Sequence, residues 1–94
     1  MKFKAAAVQT GPIEGDPEGT LKRSLDWLDE AGTRDVKLAV FPELCYPGYN
    51  PLLAAKAQPD RYEELVEILK SLAEEIPGPA TDRLTEKAKK YGMH

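Results

Sequence analysis

Cysteine and histidine are nearly missing from this chain, and long hydrophobic runs are missing altogether. A single cysteine, Cys45, excludes an internal disulfide framework and any multi-cysteine metal site. A reduced, cytoplasmic setting is the default expectation. No stretch has enough consecutive apolar residues to cross a bilayer, and the apolar run after Met1-Lys2 is too short for a secretory leader. Positive charge is not in excess either. The 13 Lys and Arg stand against 16 Asp and Glu, a net charge of −3 with the signs interspersed. This excludes a basic footprint for nucleic acid and a polybasic patch for a membrane surface. Internal repeats and low-complexity tracts are absent.

What is present is a chain of 94 residues, 41% hydrophobic and 31% charged, which suits one small globular domain with a modest core. Phe3 to Val8 reads as a first strand, bounded by Gln9-Thr10-Gly11-Pro12. Asp16 as N-cap and Pro17 at the first helical position open a helix. Leu21, Leu25 and Leu28 form its buried stripe, Trp27 falls off that stripe, and Gly32 is the expected stop. Val36 to Phe41 is nearly continuous in apolar character, as in a strand buried on both faces. Strand, helix and strand in this order make a right-handed βαβ unit with parallel strands. Val8 and Phe41 should therefore end on the same edge of the sheet.

Leu44 to Pro59 is a long irregular segment, with one or two helical turns expected over Leu52 to Ala57. Asp60 and Glu63 have the spacing of a capping box. Tyr62, Leu65, Val66, Leu69, Leu72, Ala73 and Ile76 then recur at helical steps until Pro77-Gly78-Pro79 breaks the pattern. A last helix runs from about Ala80 to Tyr91, with Leu84, Ala88 and Tyr91 on one face and Gly92 as its stop. Met93-His94 would lead into a third strand. The order is strand, helix, strand, loop, helix, helix, an α/β arrangement that by itself leaves a sheet edge and a sheet face open. Because something new begins at the last residues, residues 1–94 are expected to be the amino-terminal portion of a single domain that continues beyond His94.

The chemistry concentrates at Phe41-Pro42-Glu43. Pro42 has no N–H for a ladder and stops the strand pairing. Glu43 then stands at the carboxyl end of a parallel strand, where open α/β sheets bind ligands. It is either an anchor for the turn or a general base with its pKa raised by burial. Cys45, two residues on, invites pairing as a nucleophile, but side chains at 43 and 45 run parallel rather than head to head, and a small buried filler is the plainer role. Tyr46 and Tyr49 flank Pro47-Gly48 and either line a pocket or pack with a hydrogen-bonded hydroxyl. The Gly11–Gly15 loop fits neither Gly-x-Gly-x-x-Gly nor a P-loop, which counts against a nucleotide-binding module.

With Phe41-Pro42-Glu43 followed by Pro47-Gly48-Tyr49, the chain resembles the nitrilase superfamily, the carbon–nitrogen hydrolases. Ala6-Ala7-Val8-Gln9 is similar to that family's first strand. Leu38 to Glu43 is similar to its second strand and catalytic Glu. Ile76-Pro77-Gly78-Pro79 with Ala88-Lys89-Lys90-Tyr91-Gly92 is similar to the helix before its third strand. The resemblance implies the amino-terminal part of a four-layer α-β-β-α sandwich. It implies a Glu–Lys–Cys set acting through a thioester on a small amide, nitrile or N-carbamoyl compound, with no cofactor, in a homo-oligomer. Of that set it places only Glu43 in this chain. Cys45 and the lysines present do not match the family's other two members, so these 94 residues alone are expected to be inactive. A non-catalytic α/β module that only associates with other subunits is the alternative.

Overall fold

The computed structural model describes residues 1–48 and 56–94. Two strands, β1 (Lys4–Ala7) and β2 (Val36–Val40), pair in parallel and are joined by the helix α1 (Pro17–Thr33). Ala5, Ala6 and Ala7 stand opposite Leu38, Ala39 and Val40, with an irregularity between Lys4 and Ala5. Val8 N–H extends the pairing to the Val40 carbonyl at 2.8 Å. Both strands thus end on one edge, as the βαβ reading requires. After a 3₁₀ turn (Pro59–Arg61) come α2 (Tyr62–Ser71) and α3 (Pro79–Tyr91). Of the turns expected over Leu52 to Ala57, residues 52–55 lie outside the described residues, while Lys56 and Ala57 are helical.

The start of α1 is set as its sequence predicts. Asp16 accepts the Gly19 N–H at 2.8 Å, and Pro17 occupies the first turn. Leu21, Leu25 and Leu28 are buried, joined by Ala31, and with Val36, Ala80 and Met93 they form the core. Thr20 is the most deeply buried polar residue, 1% exposed. Its hydroxyl donates to the Asp16 carbonyl at 2.8 Å and accepts the Ile13 N–H at 2.9 Å, tying the loop after β1 to the helix.

Gly32 does not end α1. The helix runs on through Thr33, and the left-handed residue is Asp35, with φ 58°. Gly32 instead lets α3 approach. A Cβ there would lie 2.6 Å from Tyr91 Cε1 and nearer still to Cγ and Cδ1. Tyr91 and Lys87 of α3 converge on Asp29 of α1: the phenol donates at 2.7 Å, and the ammonium reaches both carboxylate oxygens at 2.8 and 2.7 Å. Lys87 first and then Tyr91 hold the Asp29 carboxyl below the usual aspartate range.

The second helix departs from its pattern at both ends. No side-chain cap forms at its start; Arg61 forks onto Glu64 and Gln58 instead of an Asp60–Glu63 box closing. Its end falls at Ser71, five residues short of Ile76, which is 84% exposed. The released Glu74 turns back to α3 and accepts the Ala80 N–H at 2.9 Å. That bond supplies the cap that Gly78, lacking a side chain, cannot. The third helix closes at Gly92 in the left-handed conformation, as read. Beyond it, His94 N–H donates to the Lys37 carbonyl at 2.8 Å and Ala39 N–H donates to the His94 carbonyl at 2.9 Å. This pair is one rung of a parallel ladder on the side of β2 away from β1.

Among the described residues, only one face of the sheet is covered. Ala6 and Ala39 pack on the core under α1, together with Phe41 just beyond β2. The alternating positions Phe3, Ala5, Ala7 and Val40 are exposed, Val40 by 55%. No helix among the described residues is long and apolar enough to cross a membrane.

Candidate functional site

The parallel pairing brings the loops after β1 and β2 together at one edge. A cleft of about 620 Å³ opens there, lined by Ala7 to Gly11 from the first loop and by Val40, Phe41 and Pro42 from the second. Glu43 is the next residue, in the turn that follows. That turn is closed by Cys45 N–H donating to the Pro42 carbonyl at 3.2 Å. Leu44 sits at its third position with φ 50°, a conformation that a β-turn normally gives to Gly or Asn. A left-handed Leu is disfavoured by roughly 1–3 kcal/mol and persists only where neighbours hold it.

Further along, Gly48 is buried with φ 114°, and a Cβ there would meet Pro12 Cβ at 2.6 Å. The two loops therefore touch backbone to ring, which requires glycine on geometry and on contact alike. Glu43 itself is exposed, so the expectation of a carboxylate desolvated within the sheet is not met within these 94 residues. Among the described residues, the sheet face that carries Val40 is likewise exposed.

Cys45 is half-buried, and burial pushes its thiol up from the usual value, the direction opposite to that of an activated nucleophile. The filler role fits it. Tyr46 is half-buried against the core and donates its hydroxyl to Glu74 at 2.8 Å, so it is the packing tyrosine of the two readings. Tyr49 lies outside the described residues. No cluster of His, Cys, Asp and Glu among the described residues could hold a metal ion. Sequence reasoning missed Glu74. Its local signal was that of a helix-surface acid, and only the early end of α2 marks it out.

Trp27, off the helical stripe, is 44% exposed. It lines a groove along the outer edge of β1, opposite Gln9 and beside Glu30 and Arg34. A second, apolar cleft of about 270 Å³ lies between α2 and the loops, walled by Ile13, Pro47, Leu65, Ile68 and Leu72.

Comparison with known proteins agrees with this architecture. The carbon-nitrogen hydrolase family model matches residues 4–94. A cyanide hydratase of Penicillium rubens is 40% identical over 91 residues, covering 94% of this chain and 24% of that protein. An aliphatic nitrilase of Sinorhizobium fredii is 31% identical over 99 residues, covering 99% and 32%. A nitrilase of Paraburkholderia phymatum is 37% identical over 98 residues, covering 97% and 26%. The chain thus spans between 24% and 32% of the length of these curated relatives.

Proposed function

From the premise that this chain belongs to the carbon–nitrogen hydrolase family, we propose that it is the amino-terminal part of a hydrolase acting on a small nitrile, with Glu43 as general base. The observation that carries this is the position of Glu43. It follows Pro42 at the carboxyl end of a parallel strand, beside the inter-loop cleft, inside the matched residues 4–94. The printed names of the relatives, nitrilase and cyanide hydratase, favour the nitrile over the amide and N-carbamoyl substrates that the wider family also suggests.

In the proposed reaction Glu43 accepts the proton of a cysteine thiol supplied by the rest of the domain, and the thiolate adds to the nitrile carbon. A lysine, also from the rest of the domain, stabilises the charge that develops on the adduct. Glu43 passes the thiol proton to the nitrile nitrogen, giving a thioimidate, and so regains the carboxylate that takes a proton from the attacking water and hands it to the nitrogen. Loss of ammonia leaves a thioester, which a second water releases as the acid. If the tetrahedral adduct instead expels the cysteine thiolate, which takes back a proton, the nitrogen stays on the product as an amide after one water. The open sheet face takes the second sheet of the four-layer sandwich, and that covering layer shields Glu43 from bulk water. Nothing in this route calls on a cofactor. The setting is cytoplasmic, where the thiol stays reduced, and the exposed apolar residues of α2, Tyr62 and Ile68, are available for self-association.

The experiment is Glu43→Gln in the full-length protein, assayed with a panel of nitriles and amides for both ammonia and amide products. Turnover should fall at least about a hundredfold, as for loss of a general base, with the fold intact by circular dichroism. A Gln variant that retains turnover removes Glu43 from the chemistry and leaves a structural module. A wild-type protein active on amides alone removes the nitrile.

A further inference from the structure

The loop carrying Glu43 holds a left-handed Leu44, and a turn of that kind needs support from outside itself. Part of that support comes from Gly48 seated on Pro12. A second link to the loop comes from far along the chain. Tyr46, three residues past Glu43, donates its hydroxyl to Glu74 Oε1 at 2.8 Å across 28 residues of sequence. The other carboxylate oxygen, Oε2, accepts the Ala80 N–H at 2.9 Å. Ala80 is a core residue in the first turn of α3, where unpaired N–H groups and the positive end of the helix dipole favour a carboxylate. In turn α3 is clamped to α1 by Lys87 and Tyr91 on Asp29. One carboxylate therefore joins the site loop to the helical layer. The apolar pattern of α2 continues to Ile76, yet the helix stops at Ser71, which frees Glu74 for this contact.

We propose that Glu74 is a positioning residue for Glu43, acting through Tyr46 to fix the loop that presents the base. The inference rests on the reading of Glu43 as base.

The test uses the full-length protein with Glu74→Ala, Glu74→Gln, Tyr46→Phe, and Glu74→Ala combined with Tyr46→Phe. Loosening the loop should lower kcat about tenfold in Glu74→Ala and in Tyr46→Phe, because small misplacements of a reacting group are felt at that level. KM should move less than about twofold. The double variant should be no worse than either single, since the two side chains form one link. Glu74→Gln should recover most of the rate, its amide oxygen accepting the Ala80 N–H and its NH₂ donating to the phenol oxygen. Unchanged kcat in folded variants, or additive losses, overturns the proposal. If Glu74→Ala does not fold, Tyr46→Phe, which deletes one oxygen, carries the test.

Failure of the function reading is told apart by the Tyr46 ring signal in NMR. Burial and the Glu74 carboxylate hold that hydroxyl above the usual phenol range, with Glu18 adding to the effect and Arg83 opposing it. Glu74→Gln should bring the titration back toward the ordinary value. No change means no contact and overturns the proposal. An inactive wild-type protein with the change present overturns the base, and its positioning with it, while the contact stands.

Discussion

Gly32→Ala is the substitution on which helix propensity and packing disagree in sign. Gly32 lies inside α1, which runs on to Thr33, and in a helix interior Ala is favoured over Gly by roughly 1 kcal/mol. In the structure the new Cβ would lie 2.6 Å from Tyr91 Cε1 and nearer to Cγ, the base of the ring. A ring blocked at its base cannot yield by moving its tip, and its hydroxyl is held on Asp29 at 2.7 Å. The whole side chain, or α3 itself, must shift. Overpacking of this kind is destabilising by about 1–3 kcal/mol. Because the ring is blocked at its base the upper part of that range applies, about 2–3 kcal/mol; less the propensity gain of about 1 kcal/mol, the net loss is about 1–2 kcal/mol, a fall in Tm on the order of 5–10 °C for a domain of this size. The assay is thermal or urea unfolding of wild type, Gly32→Ala, Tyr91→Ala and the double variant. With the ring gone, Gly32→Ala should become neutral or stabilising, because the obstacle has been removed. A Gly32→Ala protein as stable as wild type, or one equally destabilised in both backgrounds, refutes the close approach of α1 and α3.

Three further outcomes follow from the same packing. The lowered pKa of Asp29 means that its stabilising effect is present above the usual aspartate value and is lost as pH falls through the folded value. Acid unfolding of Asp29→Asn should therefore differ from wild type at neutral pH and converge with it in the acid range, the gap narrowing in high salt; a gap that does not change with pH refutes the pairing. Thr20→Val leaves the Ile13 N–H without its acceptor in a nearly dry site, and urea unfolding should show a loss of about 1–3 kcal/mol. A loss under about 0.5 kcal/mol would place that N–H in contact with water. Gly48→Ala combines a left-handed φ of 114° with the Pro12 contact, and should lose about 2 kcal/mol or more on unfolding. Gly48→Ala in a Pro12→Gly background should regain only the part due to contact, leaving the part due to φ.

The frame of the fold was legible because its signals are local. Asp16-Pro17 sets a helix start, Gly92 sets a helix stop, and the apolar run before Pro42 sets a strand, each within one turn of chain. The failures came where a local signal has two physical causes. Glycine near the end of a helical pattern marks either a left-handed stop or a close approach, and at position 32 only Tyr91, far along the chain, decides between them. Asp60 and Glu63 have capping-box spacing, but Arg61 lies between them and forms a fork with Glu64 and Gln58. The apolar repeat through Ile76 is a true helical pattern, and it yields at Ser71 because Glu74 satisfies an orphan helix donor and a phenol at once. A single exposed apolar residue loses little by comparison.

The same distinction separates Glu43 from the groups that hold it. Glu43 was singled out from position, because a carboxylate after a strand-ending Pro at the carboxyl edge of a parallel sheet needs only the order of a few residues. Its supports were not, because each joins segments far apart: Gly48 to Pro12, Tyr46 to Glu74, and Thr20 back to Ile13. Two of the three reach across from the loop after β2, and the third fixes the loop after β1 against α1. The loop that carries the left-handed Leu44 beside the candidate base is therefore tied to the loop after β1 and to the segment before α3. That arrangement separates stability from presentation of the base. Loss of the Thr20 bond should lower the unfolding free energy of the βαβ unit as a whole, whereas loss of the Tyr46 bond should leave that unit folded and shift only the loop. Amide exchange would distinguish the two: Thr20→Val should speed exchange throughout α1, and Tyr46→Phe should raise it at Cys45 N–H, the bond that closes the turn, and leave α1 protected.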